Sequence, residues 1–200
     1  PVDWDPENLL ERLPHQVIVS IEGREVRVGV WRYLVRSETG SSVPVFFLDT
    51  DIEGNSPGDR EITHYLYGGD SAYRLKQEVV LGIGGIRMLE ELGIEIFKYH
   101  LNEGHSALLA LELLNWMQRD IEAVWDEKMV WDVESVRERC IFTTHTPVEA
   151  GHDKFPYEMV ARVVGEIVPL HVLKQFGGSQ HLNMTLLALN LSNYVNGVAK

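Results

Sequence analysis

Two short loops hold the residues best suited to chemistry. The first is His100-Leu101-Asn102-Glu103-Gly104-His105, and the second is His145-Thr146-Pro147-Val148-Glu149-Ala150-Gly151-His152. Each follows a short segment that is typical of a strand. Amide, carboxylate and imidazole groups together can donate hydrogen bonds to hydroxyls and accept from them. The first loop is therefore compatible with a polar cleft suited to a carbohydrate, and His145 extends the same pattern.

A structural interpretation of the first loop stays open beside this one. Asn102 and Glu103 stand at the predicted N-terminus of an apolar helix, where a side-chain oxygen caps free N–H groups and a carboxylate complements the helix dipole. The same N–H groups favour a bound anion or polar hydroxyl. These residues alone favour capping slightly. Only the convergence of both loops on one cleft argues for ligand binding.

The elements around these loops alternate between helix and strand. We predict strands over 94–99 and 140–144, and helices over 71–92, 106–119, about 121–139, 157–167 and 184–195. This alternation predicts an α/β fold with a parallel sheet. Ligands of such sheets bind beyond the carboxyl ends of the strands. Both polar loops follow predicted strand ends, so we expect them at one edge of the sheet.

The beginning of the chain has a different pattern. Period-two alternation predicts strands over 17–21, 26–36 and 43–48, followed by a long loop over 49–70 that is either functional or a solvated connection. We expect one domain over 1–200, with a strand-rich portion at 1–65 and an α/β portion at 66–200. Neither terminus has the features of a natural chain end, so we expect a piece of a longer protein.

The composition excludes several classes of protein. The 200 residues carry 18 Lys and Arg against 30 Asp and Glu, a net charge of −12, which argues against a nucleic-acid binder. No apolar run has the length of a membrane span, and the first residues, which lack a basic and an apolar region, lead us to expect no signal peptide. Cys140 is the only cysteine, which excludes an internal disulfide and a cysteine-based zinc site. We expect a cytoplasmic protein.

The sequence lacks the patterns of a nucleotide-binding glycine motif, a zinc-binding helix and a serine nucleophile elbow. The run Gly82-Ile83-Gly84-Gly85 continues a helical pattern instead of following a strand, so it predicts close helix packing rather than a nucleotide site. His145, Glu149 and His152 lack the spacing of a zinc-binding helix. No nucleophile elbow surrounds a serine. We therefore expect no metal site and no complete catalytic set in this chain.

Several ordered motifs resemble the α-glucan (glycogen, starch and maltodextrin) phosphorylases. Leu101-Asn102-Glu103-Gly104-His105-Ser106-Ala107-Leu108 resembles their Leu-Asn-Asp-Thr-His-Pro-Ala-Leu segment. Thr144-His145-Thr146 is similar to their Thr-His-Thr, and Arg74-Leu75-Lys76-Gln77-Glu78 to their Arg-Leu-Lys-Gln-Glu. Asn183-Met184 and the run 195–199 match a pattern found late in the N-terminal domain of these enzymes. The variants found here resemble the bacterial and archaeal branch of the family.

This resemblance implies a fold, an activity and partners. The fold would be part of the Rossmann-like N-terminal domain of a GT-B glycosyltransferase. The full-length enzyme would transfer terminal α-1,4-glucosyl units to inorganic phosphate, giving glucose 1-phosphate, with pyridoxal phosphate bound by a lysine that is not in this chain. Its partners would be α-1,4-glucan, phosphate and the missing C-terminal domain, and homo-oligomerisation stays open. The fragment alone would be inactive.

The resemblance also assigns substrate-binding roles. His145 would bind glucose at the cleavage subsite, with its backbone carbonyl at the sugar's primary hydroxyl. Glu103 stands where the family has Asp, and His105 matches its His; both would line the cleft near the glucosyl unit. Asn102 and Thr144 complete the expected substrate-binding set. The segment 51–55 corresponds in position to the family's gating loop, but its sequence differs, so the resemblance implies only the location of that loop.

The sequence is also compatible with two other functions. One is a fragment of a sugar-nucleotide-dependent GT-B glucan synthase, which would carry a nucleotide-sugar site instead of a pyridoxal lysine. The other is a non-catalytic glucan-binding module, whose binding would survive replacement of His145 and Glu103 by alanine.

Overall fold

The computed structural model describes residues 6–66, 69–124, 126, 130–148 and 151–198. Eight strands are present among them: β1 (Glu11–Ile21), β2 (Arg24–Arg36), β3 (Ser42–Asp49), β4 (Tyr99–Asn102), β5 (Cys140–Thr144), β6 (Lys154–Pro156), β7 (His181–Asn183) and β8 (Tyr194–Gly197). The α-helices are α1 (Pro57–Arg60), α2 (Ser71–Val79), α3 (Gly85–Glu91), α4 (Leu108–Trp116), α5 (Val133–Arg139), α6 (Tyr157–Val163), α7 (Leu170–Gly177) and α8 (Met184–Asn190).

The first three strands form an antiparallel sheet in the order β1-β2-β3. A tight turn joins the first two strands, and a register shift between Leu13 and Gln16 interrupts their pairing. Alternate residues near this turn face the core, among them Val19, Ile21 and Val26, which are fully buried. The predicted strands are confirmed, with longer bounds than the hydrophobic pattern indicated.

The predicted helix over 71–92 is present as one helical run with an irregular centre. A π-helical segment, Val80–Gly84, joins α2 to α3. A Cβ atom placed on Gly82 would lie 3.0 Å from the backbone nitrogen of Leu109 on α4. Because a side chain there would collide with a neighbouring backbone, the predicted close packing at the glycine cluster is confirmed.

The predicted parallel sheet is confirmed, in the order β4-β5-β8. In its register Tyr99 pairs with Cys140 and Asn102 with Thr143. The strand predicted over 94–99 was wrong in position, since β4 begins only at Tyr99. Phe97 is 79% exposed, so the apolar alternation before β4 does not face the core.

Several later predictions were also wrong in extent. The helix predicted over 121–139 is a 3₁₀ turn at Ile121–Ala123 and a separate α5, with 125 and 127–129 outside the described residues. The helix predicted over 184–195 ends at Asn190 and is followed by β8. The small antiparallel pair β6–β7 and the helix α7 were not predicted.

One buried apolar cluster connects the two sheets. It runs from Val19 and Val28 of the antiparallel sheet through α2 and α4 to Phe142 of the parallel sheet and Leu187 of α8. This core holds β4 and β5 against the helices that follow them. In the part of the chain that the structure describes, no helix combines the length and apolar character needed to cross a membrane.

Candidate functional site

The two polar loops predicted to converge do lie side by side. β4 and β5 are paired in parallel, so both loops begin at the same edge of the sheet. The backbone N–H of Glu103 donates to the carbonyl of Thr143 at 2.9 Å, which carries the pairing one residue past β4. The topological argument made from the sequence is therefore confirmed for the backbone.

Glu103 adopts a strained backbone. Its φ of 64° lies in the left-handed region, which a residue with a side chain rarely adopts. Behind it, a Cβ atom on Gly104 would come within 2.9 Å of the backbone nitrogen of Thr185, so only glycine fits there. The turn that follows is a 3₁₀ segment, Gly104–Ser106. Local strain of this kind is held by the surrounding packing and clusters at functional sites.

The capping interpretation of the first loop was wrong. The side chain of Glu103 makes no capping hydrogen bond to the 3₁₀ turn, and α4 begins after Ala107 with no side-chain cap. The Asn102 side chain reaches across to the second loop instead: its Oδ1 lies 2.7 Å from Nε2 of His145. Both polar side chains therefore connect the two loops.

The Glu103 carboxylate binds the segment after β5 through three donors. Its Oε1 accepts from the backbone N–H of His145 and from the hydroxyl of Thr146 at 3.1 Å. Its Oε2 accepts from the hydroxyl of Thr144 at 3.3 Å. We call this arrangement, with the Asn102–His145 contact, the rim latch. It fixes the backbone of His145 relative to β4.

The rim latch also determines the ionisation of Glu103. Burial raises the pKa of this carboxyl, but the N–H of His145 and the hydroxyls of Thr146 and Thr144 together outweigh it and leave the pKa below its usual value of 4.5. Glu103 is therefore a carboxylate at neutral pH, with its oxygens already engaged by protein donors. The expectation that Glu103 lines the cleft beside a sugar stays a prediction, and the geometry favours a positioning role.

His105 belongs to a second cluster. Its Nδ1 lies 3.1 Å from Oδ2 of Asp153 and 3.0 Å from Nη2 of Arg74. Arg74 Nη2 in turn donates to Asp153 at 3.3 Å. Glu78 lies beneath them on α2, with Oε1 3.5 Å from Arg74 Nε and 3.9 Å from His105 Nδ1. We call these four residues the rim cluster.

A cavity connects the rim cluster with the rim latch. Asn102 and His105 both line a cavity of about 930 Å³ that continues between β3, α2 and α3. Glu103, Thr144 and His145 are not among its lining residues. The structure thus joins four of the five predicted site residues by hydrogen bonds and places the fifth, His105, in a cavity that Asn102 shares.

Arg74, Glu78 and Asp153 were not assigned to the site from the sequence. Arg74 and Glu78 stand within the Arg-Leu-Lys-Gln-Glu run, but Asp153 is 48 positions away from its partner His105. The sequence around Glu78 has no local pattern that distinguishes it from a glutamate in an ordinary structural ion pair. Only the three-dimensional contacts identify the cluster.

The rim cluster has a resident positive charge. Potential ligand atoms of Glu78, His105 and Asp153 lie within 4.8 Å of one another, which is close enough to hold a metal ion. Arg74, however, already places its guanidinium 3.3 Å from the Asp153 carboxylate. We therefore do not identify these residues as metal ligands. His152 lies with Nε2 3.1 Å from the carbonyl oxygen of Thr146, and Glu149 lies outside the described residues.

Three of the four lysines that the structure describes contact other groups of the chain. Lys76 is paired with Glu22 at 2.8 Å, Lys174 lies over the ring of Tyr157, and Lys98 donates to the carbonyl of Glu138. Lys154 is exposed at the start of β6. A Schiff-base lysine needs a pocket that holds the cofactor. Lys98 lines the cavity that Asn102 and His105 share, but its ammonium group is bonded to a backbone carbonyl.

The chain is similar in sequence to several phosphorylases. It is 43% identical over 163 residues to the maltodextrin phosphorylase of Thermococcus litoralis, covering 79% of this chain and 19% of that protein. It is 31% identical to the glycogen phosphorylase of Aquifex aeolicus, covering 99% of this chain and 30% of the relative. The glycogen phosphorylase of Mycobacterium tuberculosis is 35% identical over 178 residues, which are 78% of this chain and 20% of that protein.

The search of protein-family models returned no match. The curated relatives nevertheless agree with one another and cover most of the chain, while the chain spans less than a third of the length of each of the three. The resemblance found in the motifs is confirmed. This chain belongs to the family of bacterial and archaeal glycogen and maltodextrin phosphorylases, of which it matches one segment.

Proposed function

We propose that this chain supplies the glucan-binding side of the cleft in an α-glucan phosphorylase. It would form part of the Rossmann-like N-terminal domain of a GT-B enzyme. The full-length enzyme would transfer terminal α-1,4-linked glucosyl units to inorganic phosphate, giving glucose 1-phosphate. The parallel sheet and the phosphorylase relatives support this placement.

The rim latch is the observation that carries this proposal. Sugar hydroxyls need donors and acceptors that are held in place, because each flexible polar group that must be ordered on binding lowers the affinity. Glu103 holds the segment 144–146 through three hydrogen bonds. The backbone of His145 is therefore fixed before substrate arrives, and by resemblance its carbonyl would accept from the primary hydroxyl of a glucosyl unit.

The reaction itself requires groups outside this chain. By resemblance to the phosphorylases, pyridoxal phosphate would be held by a lysine in the rest of the full-length protein. The contribution of this chain is binding and orientation: Asn102 and His145 present polar groups toward sugar hydroxyls, and Glu103 positions His145. We therefore expect the isolated chain to bind glucan and to release no glucose 1-phosphate.

Calorimetric titration of the 200-residue chain with maltoheptaose tests this function. We expect measurable binding that weakens at least about tenfold in His145→Ala, because both the side chain and its contact with Asn102 are lost. His181→Ala is the matched control, since His181 is exposed at the start of β7, and its affinity should equal that of the unmodified chain. Absence of maltoheptaose binding would refute the proposal.

The same titration and an assay of the full-length enzyme separate the other two functions. Binding that survives both His145→Ala and Glu103→Ala would favour a non-catalytic glucan-binding module elsewhere on the surface. A synthase fragment predicts that full-length enzyme consumes a sugar nucleotide. A phosphorylase predicts that full-length enzyme consumes inorganic phosphate and releases glucose 1-phosphate, which an enzyme-coupled assay measures.

A further inference from the structure

The rim cluster is assembled from three segments that are distant in sequence. Arg74 and Glu78 lie on α2, His105 lies in the 3₁₀ turn after β4, and Asp153 precedes β6. The charged groups that face His105 are Arg74, Glu78 and Asp153. None of the hydrogen bonds of the rim latch includes Arg74, Glu78 or Asp153, so the rim cluster needs its own explanation.

The two carboxyl groups of the cluster have opposite properties. Glu78 is 2% exposed, and neither of its oxygens has a hydrogen bond among the described residues. Its burial raises its pKa to about 8. The hydrogen bond with His105 lowers the pKa of Asp153 to about 2. At neutral pH Asp153 is therefore the charged partner of His105, and Glu78 is largely protonated.

The orientation of the His105 ring follows from these contacts. In the protonated ring, Nδ1–H donates to Oδ2 of Asp153, and Arg74 Nη2, 3.0 Å from Nδ1, donates to the same oxygen, so the two cations share one acceptor. The opposite ring nitrogen, Nε2, makes no hydrogen bond to any described residue. His105 lines the cavity that Asn102 shares, and 42% of its side chain is exposed. A ring held through Nδ1 offers Nε2 to a ligand.

We infer that Asp153 is a positioning residue, which with Arg74 fixes the His105 ring so that its Nε2–H donates to a hydroxyl oxygen of the bound glucan. This inference rests on the proposed function for the identity of the ligand. Asp153 acts through His105 and does not itself contact the sugar. Hydrogen bonds from a charged donor are shorter and stronger than those from a neutral donor, which is the advantage of keeping the imidazole protonated.

The ionisation of His105 agrees with this role. The carboxylate of Asp153, followed by Glu78, raises the pKa of His105 to about 9, against the ordinary 6.5. Without Asp153 the ring would lose its proton on the way to mildly alkaline pH. Nε2 would then be an acceptor whenever the remaining proton stays on Nδ1. The fixed donor would be lost while the fold persists.

The test compares Asp153→Asn with Asp132→Asn in the 200-residue chain. Asp132 is the matched control because it caps α5 and pairs with Arg119 away from the rim cluster. Two measurements are made: the titration of the histidine rings by nuclear magnetic resonance, and maltoheptaose affinity by calorimetry at about pH 6 and about pH 8.5.

We expect His105 of the unmodified chain to titrate near 9 and that of Asp153→Asn to titrate toward 6.5. The unmodified chain and Asp132→Asn should bind maltoheptaose equally at both pH values. Asp153→Asn should bind about fivefold more weakly at about pH 8.5 than at about pH 6. Glu78→Gln should shift the His105 titration less than Asp153→Asn does, because Glu78 is already largely neutral.

Two outcomes would overturn the inference. One is an unchanged His105 titration in Asp153→Asn. The other is a loss of affinity that is equal at both pH values, as a merely structural role of Asp153 would give. If Asp153→Asn does not fold, Asp153→Glu keeps the charge and should retain the raised pKa. Failure of the unmodified chain to bind maltoheptaose would refute the proposed function and with it the glucan donor role, while the titration still shows whether Asp153 controls His105.

Discussion

Two buried glutamates on different helices have very different surroundings. Glu112 on α4 and Glu78 on α2 are 1% and 2% exposed. Arg87 donates to Oε1 of Glu112 from Nε at 2.7 Å and from Nη2 at 2.6 Å. The nearest cationic nitrogens of Glu78 are Nε of Arg74 at 3.5 Å and Nδ1 of His105 at 3.9 Å, and both side chains also contact Asp153. One carboxyl group has a dedicated partner, and the other competes for its partners.

This difference separates a structural ion pair from the rim cluster, for which we propose a function. The pair of Arg87 and Glu112 connects α3 to α4, and Arg87 also donates to the carbonyl of Ile18 on β1 at 2.7 Å. All its polar groups serve packing. Around Glu78 the cationic side chains sit at the edge of a cavity, and the carboxyl group is left incompletely satisfied. Incomplete satisfaction of a buried ionisable group marks a functional site better than burial alone.

Replacement of Arg87 should produce the largest effect. Arg87→Met leaves the Glu112 carboxylate buried without its partner, which we expect to lower the free energy of unfolding by about 3 kcal/mol. Urea denaturation at neutral pH measures it. Arg32→Met is the matched control, because its partner Glu11 is exposed, and its loss should stay within about 0.5 kcal/mol. Equal losses in the two variants would contradict the distinction drawn here.

The conformation of the loop after β4 depends on a close backbone contact at Gly104 rather than on an ion pair. In Gly104→Ala the new methyl group meets Thr185 N at 2.9 Å and the carbonyl carbon of Met184 at 3.0 Å, and neither backbone atom can move freely. We expect a loss of about 2 kcal/mol in the urea experiment. Gly58→Ala is the control, since nothing lies within 4 Å of its Cβ position, and it should be neutral or slightly stabilising.

The elements that position the site could be predicted only where a pattern was long enough. The strands before residue 50 alternate over many residues, and β5 is a compact apolar run, so both were found. β6 and β7 have three residues each, which is too short for a period to show. The alternation at 94–97 predicted a strand that begins before Tyr99, where β4 actually starts. The prediction was wrong because the apolar side chains at 94–97 remain exposed or half-buried.

The two parts of the site differ in the same way. Asn102, Glu103 and His145 could be placed together, because the carboxyl ends of neighbouring parallel strands meet at one edge. The rim cluster could not, because Asp153 reaches His105 from a segment without a predicted element. Its contact depends on the β6–β7 pair and the packing of α8, which are tertiary features that no local pattern of the sequence encodes.

Glu78→Gln should stabilise the protein at alkaline pH. The pKa of Glu78 is raised in the folded state to about 8, against 4.5 for an ordinary glutamate. Between these values the folded protein binds more protons than the unfolded chain, so this carboxyl makes stability fall as pH rises. A neutral amide does not ionise, so it does not make stability fall as pH rises. Glu78→Gln should match the unmodified chain near pH 4.5 and exceed it by about 2 kcal/mol near pH 8.

Glu112→Gln provides the contrast, because it removes a charge that has a dedicated partner. We expect it to be less stable than the unmodified chain at neutral pH as well as at alkaline pH, by about 2 kcal/mol. Urea denaturation across this pH range follows both variants. A pH-independent effect of Glu78→Gln, or a gain in stability in Glu112→Gln, would show that the two glutamates do not differ as described.

Glu103→Gln should have the smallest effect and the most local one. The amide keeps one acceptor oxygen but places an NH₂ group against the N–H or hydroxyl donors of the 144–146 segment, so about 1 kcal/mol of local stability is lost. Hydrogen exchange at the His145 amide should then be about fivefold faster. The exposed Glu95→Gln is the control and should leave this amide unchanged.

The pH dependence of that protection tests whether the charge of Glu103 matters. Because the folded pKa of Glu103 is lowered, its stabilising contribution is present above its ordinary value of 4.5 and is lost as pH falls through the lower folded value. Protection of the His145 amide should therefore decrease in acid in the unmodified chain and stay level in Glu103→Gln. If both chains lose protection equally in acid, another group holds the 144–146 segment, and the rim latch is a contact without a positioning role.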